Sequence, residues 1–247
     1  MPRGNQNLFV PLAPGAIVVV RCRAAMAAAL WLFAASTSAV PAAPAALSRV
    51  STSIGKLAIS EVQEHVSNAF GSDSTGTRIW DAGRLLSDVL SERDLSGQRV
   101  LECGSGTGVG GLTAASAGAA SVVLTDGAAA TLPLLEENVA ANGLVDRVQT
   151  CRLRWGHEDD MHEARLLGPF DLIIGSDLLY APESFPDLLE TLTALCTPDV
   201  TEVLLTYPTR YTERTFLEAA EEHGFEQSKW EEEVEPALWA TSPVLRS

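Results

Sequence analysis

Leu101-Glu102-Cys103-Gly104-Ser105-Gly106-Thr107-Gly108 is the stretch on which the fold turns. Arg99–Cys103 reads as a short buried strand, Gly104–Gly108 as a glycine loop, and Gly110–Ala117 as a helix. Glycines directly after a strand let the backbone turn sharply and let a ligand approach the main chain. The helix that follows offers free N–H groups to an anionic part of that ligand. Glu102, at the strand end, can face a positively charged amino group. Asp126 ends the next strand, in Val122-Val123-Leu124-Thr125-Asp126. A carboxylate there can accept both hydroxyls of a ribose.

One other reading competes at this point. Gly106, Gly108 and Gly111 also fit G-x-G-x-x-G, and Asp126 follows at the distance expected of a dinucleotide site. The phase opposes it, because Gly104 and not Gly106 follows the strand. Glu102 would also lie close to a pyrophosphate.

Working outward, strands and helices alternate. Leu57, Ile59 and Val62 mark a strand, Ser74–Thr77 a turn, and Ile79–Leu90 a helix with one apolar face. Ser121–Thr125 is a strand and Thr131–Asn142 a helix capped by Gly143. Val148–Trp155 and Phe170–Ser176 are strands; the run Leu172-Ile173-Ile174 implies burial on both faces. Phe185–Cys196 is a helix, Glu202–Thr206 a strand, and Thr212–His223 a helix ended by Gly224. Phe225–Val234 and Ala237–Val244 suit a closing antiparallel pair. The alternation predicts an α/β fold with a doubly wound, mostly parallel sheet and a final antiparallel strand.

Residues 1–50 read differently. They hold four arginines and no acid, with an Ala-rich run at Ala24–Ala35 that is too short to span a bilayer. This segment reads as a basic leader, a targeting segment or sequence upstream of a start at Met26, outside a domain covering 51–247. A chain starting near Ser51 is expected to fold and bind its ligand.

The composition narrows the partners. After residue 50 there are 32 acids against 13 basic residues, a formal charge of −19. Such a field repels phosphate backbones and attracts basic protein surfaces. Cys22, Cys103, Cys151 and Cys196 form no CxxC pair, so neither a disulfide framework nor a zinc site is expected. A reducing compartment suits them, and the cytoplasm is the expected location, with a mitochondrion or plastid as the alternative. His157 and His162, among Glu158, Asp159 and Asp160, read as a solvated loop rather than a metal site.

The strand Phe170–Ser176 ends in Ser176-Asp177-Leu178-Leu179-Tyr180 and borders the same sheet edge. Asp177 and Tyr180 can thus face a ligand and an incoming acceptor. Trp155 ends the third strand, where an indole can lie against a flat base. Trp80 begins the helix before the first strand of the glycine unit.

Together these residues resemble the seven-strand protein-lysine methyltransferases of the methyltransferase-like family, from about Leu57 to Trp230. Thr75-Gly76-Thr77-Arg78-Ile79-Trp80-Asp81-Ala82 is similar to the family's N-terminal tryptophan motif. Glu102–Gly108 is similar to its first cofactor motif, and Leu153-Arg154-Trp155-Gly156 to its third-strand segment. Asp177–Tyr180 matches its D-x-x-Y, and Pro182–Leu189 resembles the helix that follows. Gly83 stands where alanine is usual, residues from Pro236 match weakly, and the first fifty match nothing.

The resemblance implies a seven-stranded sheet, and S-adenosylmethionine as cofactor, held by Trp80, Glu102, Gly104, Ser105, Gly106, Asp126, Trp155 and Ser176. It implies methyl transfer to a protein lysine, with Asp177 orienting the amine or the cofactor and Tyr180 shaping the methyl channel. It also implies a chaperone or translation factor as partner, with neither nucleic acid nor stable membrane insertion. Three alternatives stand beside it. A nucleic-acid or small-molecule methyltransferase is opposed by the charge and by Leu178 and Leu179, where base-modifying enzymes often carry prolines. The others are an NAD-dependent oxidoreductase and a cofactor-binding subunit without activity.

Overall fold

A computed structural model describes residues 15–23, 49–62, 76–208 and 213–228. The strands are β1 (Gly15–Cys22), β2 (Arg49–Ile54), β3 (Leu57–Val62), β4 (Arg99–Cys103), β5 (Ser121–Asp126), β6 (Val148–Arg152), β7 (Leu172–Ser176), β8 (Glu202–Pro208) and β9 (Phe225–Ser228). The helices are α1 (Asp81–Ser91), α2 (Val109–Ser116), α3 (Leu132–Ala141), α4 (Glu158–Leu166), α5 (Phe185–Leu195) and α6 (Glu213–Glu222).

Seven strands form one sheet in the order β6-β5-β4-β7-β8-β1-β9. The five from β6 to β8 are parallel. Each needs a crossover, and the helices that supply it cover both faces. Successive residues therefore bury on opposite sides. Leu101, Ile173 and Val203 pack with α5 and α6, whereas Val100, Leu172, Ile174 and Leu204 pack with α1 and α2. Chain order reverses at β4, whose neighbours are β5 and β7. The crevice at the C-terminal ends of those three strands is where sheets of this kind bind ligands.

The sheet closes differently from the expectation for residues 1–50. Gly15–Cys22 lies inside it, antiparallel to β8 from Gly15↔Pro208 to Arg21↔Glu202 and antiparallel to β9 from Val19↔Ser228 to Cys22↔Phe225. Val18 and Val20 join one core and Val19 the other. The physical reason is the run Ala16-Ile17-Val18-Val19-Val20, a stretch suited to burial on both faces. Arg49 and Val50 likewise belong to a hairpin, β2 with β3. β9 is the last strand among the described residues, antiparallel to its neighbour, but that neighbour comes from the N-terminal segment. Ala237–Val244 lies outside the described residues.

A second correction concerns residues 158–166, which form α4 rather than a loop. Glu158, Asp159 and Asp160 fill its first turn, where acids favour the helix N-terminus, and Met161 and Ala164 bury against the sheet.

Candidate active site

The glycine loop is pinned between β4 and β5 by its own serine. The Ser105 N–H donates to the Thr125 carbonyl at 2.7 Å, and the Ser105 hydroxyl to the Glu102 carbonyl at 3.1 Å. The Thr125 N–H donates to Ser105 Oγ at 2.9 Å. The Ser105 hydroxyl thus bonds to both β4 and β5. Gly104 has φ +57°, and a Cβ there would lie 2.8 Å from Leu178 Cδ2. The positive φ favours glycine, and a Cβ would press on the Leu178 methyl.

Asp126 is held at both oxygens. Gly106 N–H donates to Oδ2 at 3.0 Å and Ala128 N–H to Oδ1 at 2.9 Å.

Asp177 has φ +54°, a left-handed backbone uncommon outside glycine and most tolerable for Asn and Asp. The turn is locked by the Asp177 N–H, which donates to the Thr206 carbonyl at 2.8 Å. Thr206 in turn donates from its hydroxyl to the Ala82 carbonyl at 2.8 Å, tying β8 to α1. Leu178 and Leu179 turn into the core, which leaves Tyr180 55% exposed at the rim.

Trp80 is 44% exposed, with the Arg78 guanidinium 5.6 Å from its ring. Trp155 is half-buried on the far wall, its Cζ2 3.5 Å from where a Gly104 Cβ would sit.

Trp80, Gly104, Ser105, Gly106, Asp126, Trp155, Ser176, Asp177 and Tyr180 all line one cleft of about 340 Å³. That volume lies at the lower end of small-molecule sites. Glu102 does not line it and is the exception among the ten residues expected there. Strand alternation points its side chain under α2, where it is 1% exposed and accepts the Gly111 N–H at 3.0 Å. A Cβ on Gly110 would stand 2.4 Å from its Oε1, so the two glycines let the helix rest on the carboxylate. Burial pushes Glu102 up to about 7, against the pull of the Gly111 amide. It lies beneath the loop, bonded to the N-terminal turn of α2, and not on the cleft wall.

The cleft also includes Gly76, Arg78, Ile79, Gly127, Ala128 and Leu153, which were not foreseen as site residues. All are chain neighbours of predicted ones, and proximity to Trp80, Asp126 and Trp155 is the signal that points to them. Among the described residues no group of His, Cys, Asp and Glu is placed to hold a metal.

Known proteins resemble this chain in sequence and in fold. A lysine methyltransferase family model matches residues 61–223. Protein N-lysine methyltransferase METTL21A of Danio rerio is 42% identical over 138 residues, 54% of this chain and 61% of that protein. EEF1A lysine methyltransferase 3 of Mus musculus is 36% identical over 137 residues, 54% of this chain and 56% of that protein. The chain therefore matches about three fifths of the length of these relatives. Among solved structures, SMU.776 complexed with SAH superposes with a TM-score of 0.56 at 17% identity, covering 73% of this chain and 47% of that one. A SAM-dependent methyltransferase from Agrobacterium tumefaciens gives 0.51 at 18% identity, covering 72% and 59%. These two likenesses are of fold. The match across residues 61–223 is one of family, and the chain belongs to the lysine methyltransferase family.

Proposed function

We propose that this chain is an S-adenosylmethionine-dependent methyltransferase acting on a lysine side chain of a protein. One observation carries the reading. A glycine-floored cleft joins the doubly held Asp126 and Trp155 on one side to Asp177 and Tyr180 at an exposed rim on the other.

The cleft fits the cofactor. The strain-free φ of Gly104 and Gly106 leaves a floor without side chains against which an amino-acid moiety can lie. Asp126 lines the cleft with a carboxylate suited to accepting ribose hydroxyls, and Trp155 offers an apolar ring to adenine. Bound there, S-adenosylmethionine supplies a methyl group activated by a sulfonium. The protein's task is then alignment and exclusion of water. A lysine ammonium has no lone pair and an ordinary pKa near ~10.4, so it must first lose a proton. Desolvation in the half-buried end of the cleft opposes the charged ammonium while the Asp177 carboxylate favours it, so the proton leaves to solvent at the exposed rim beside Tyr180 before the nitrogen is aligned. Asp177 accepts its remaining N–H groups and aims the nitrogen, while Tyr180 walls the approach.

The acceptor is a protein with a basic surface, because the chain carries a net charge of −15. The relative named as an EEF1A lysine methyltransferase supports a translation factor as the partner class. We also propose a cytoplasmic location, supported by four free thiols, two of them buried. Imaging of a C-terminally tagged chain tests it, and signal in a mitochondrion or plastid overturns it. The activity itself is tested with methyl-labelled S-adenosylmethionine and a protein extract, followed by mass spectrometry of the labelled species.

A further inference from the structure

We infer that Asp160, outside the cleft, is a positioning residue that sets the place of Trp155 and through it the affinity for the adenosyl part of the cofactor. The inference rests on the cofactor reading above.

Trp155 stands just beyond the last ladder residue of β6, and β6 is the edge of the sheet. The Leu153 N–H still reaches the Asp126 carbonyl, at 3.0 Å. Past that point the sheet gives no support, and the turn is held by side chains from two helices. Asp160, in the first turn of α4, receives three hydrogen bonds from Arg154, the residue directly before the indole. The Arg154 N–H donates to Oδ2 at 2.9 Å, Nε to Oδ2 at 2.8 Å and a terminal guanidinium nitrogen to Oδ1 at 2.8 Å. His157 joins them, its Nδ1 lying 3.2 Å from Oδ1 of Asp160. On the other side of the indole, Gly156 N–H donates to Thr191 Oγ1 of α5 at 2.9 Å. Gly156 has φ +70°, and a Cβ there would come within 3.0 Å of Asp187, so the turn presses closely on α5.

Asp160 is buried, its side chain 10% exposed, and a buried acid is retained at a cost unless its partners are fixed. Burial pushes Asp160 up, but the Arg154 side-chain and backbone bonds and its charge outweigh this, leaving it below the ordinary carboxylate value. A forked pair of this kind fixes direction as well as distance. Both anchors flank one residue, and that residue closes the cleft beside Gly104.

The test is a double-mutant cycle on S-adenosylhomocysteine binding, read by calorimetry, with thermal melting of each variant. Asp160→Ala should raise Kd about tenfold in the wild-type background and less than twofold in a Trp155→Ala background, because coupled residues are non-additive. Should Asp160→Ala melt below the assay temperature, Thr191→Val, which removes the second anchor, should show the same background dependence. An equal factor in both backgrounds, or no change in either, overturns the inference while leaving the cofactor reading intact. A wild-type chain that fails to bind S-adenosylhomocysteine overturns both.

Discussion

Asp177 combines a left-handed backbone with a carboxylate at the rim of the cleft, and substitutions there must separate the two. Asparagine tolerates φ +54°, whereas alanine adds roughly 1–2 kcal/mol of backbone strain. Asp177→Asn should lower methyl transfer about a hundredfold, the scale of a misaimed reactant, with S-adenosylhomocysteine affinity changed less than about threefold. Tyr180→Phe should be milder, since the ring is kept. Asp126→Ala removes charge-assisted bonds of roughly 1.5–3 kcal/mol each, so calorimetry should show at least about a tenfold loss of cofactor affinity. Glu102 makes a prediction about pH. Burial raises its pKa from the ordinary 4.5 to about 7 on folding, so the folded state binds the extra proton. Stability from this group is present at acid pH and is lost as pH rises towards 7, by on the order of 3 kcal/mol. Glu102→Gln should flatten that part of the Tm–pH curve. Equal slopes in both proteins would show that the carboxylate is not strained by burial.

At the scale of elements, β1 carries the clearest consequence. Val18, Val19 and Val20 are each 2% exposed, and burying such side chains contributes roughly 1.5–3 kcal/mol apiece. The sum is comparable with the whole net stability of a domain. Deleting residues 1–23 should therefore lower Tm by more than about 10 °C or abolish cooperative unfolding, measured by circular dichroism. Retention of the full Tm would mean that the strand is dispensable. This strand also marks where the sequence was hard to read. The parallel strands announce themselves by apolar runs ending in glycine or acid, as at Glu102–Gly104 and Asp126, and nine of the ten expected site residues share one cleft. The exception, Glu102, was legible as a strand-end acid, but its direction depends on pleat phase and on a helix resting on Gly110. Gly15–Cys22 was masked by its arginine-rich, acid-free surroundings, although its β-branched run has the same pattern as Leu172–Ile174. α4 was masked because only Met161 and Ala164, with Asp160, turn inward, too few to make an apolar face.

The whole molecule adds a field to the cleft. Acids outnumber basic residues by 32 to 17, and a basic substrate is drawn to the rim over a range that salt shortens to about 10 Å at 0.1 M. Transfer to a folded basic protein should slow as salt rises, while transfer to a short neutral peptide bearing the same lysine should change little. Equal salt dependence for both would place recognition in the cleft alone. The central claim is that this cleft moves a methyl group to lysine. Its most direct test is tandem mass spectrometry of a protein extract incubated with methyl-labelled S-adenosylmethionine and either the wild-type chain or Asp177→Asn. The account predicts label on a lysine Nζ of a discrete protein with the wild type and almost none with the variant; label confined to RNA, DNA or a metabolite would contradict it.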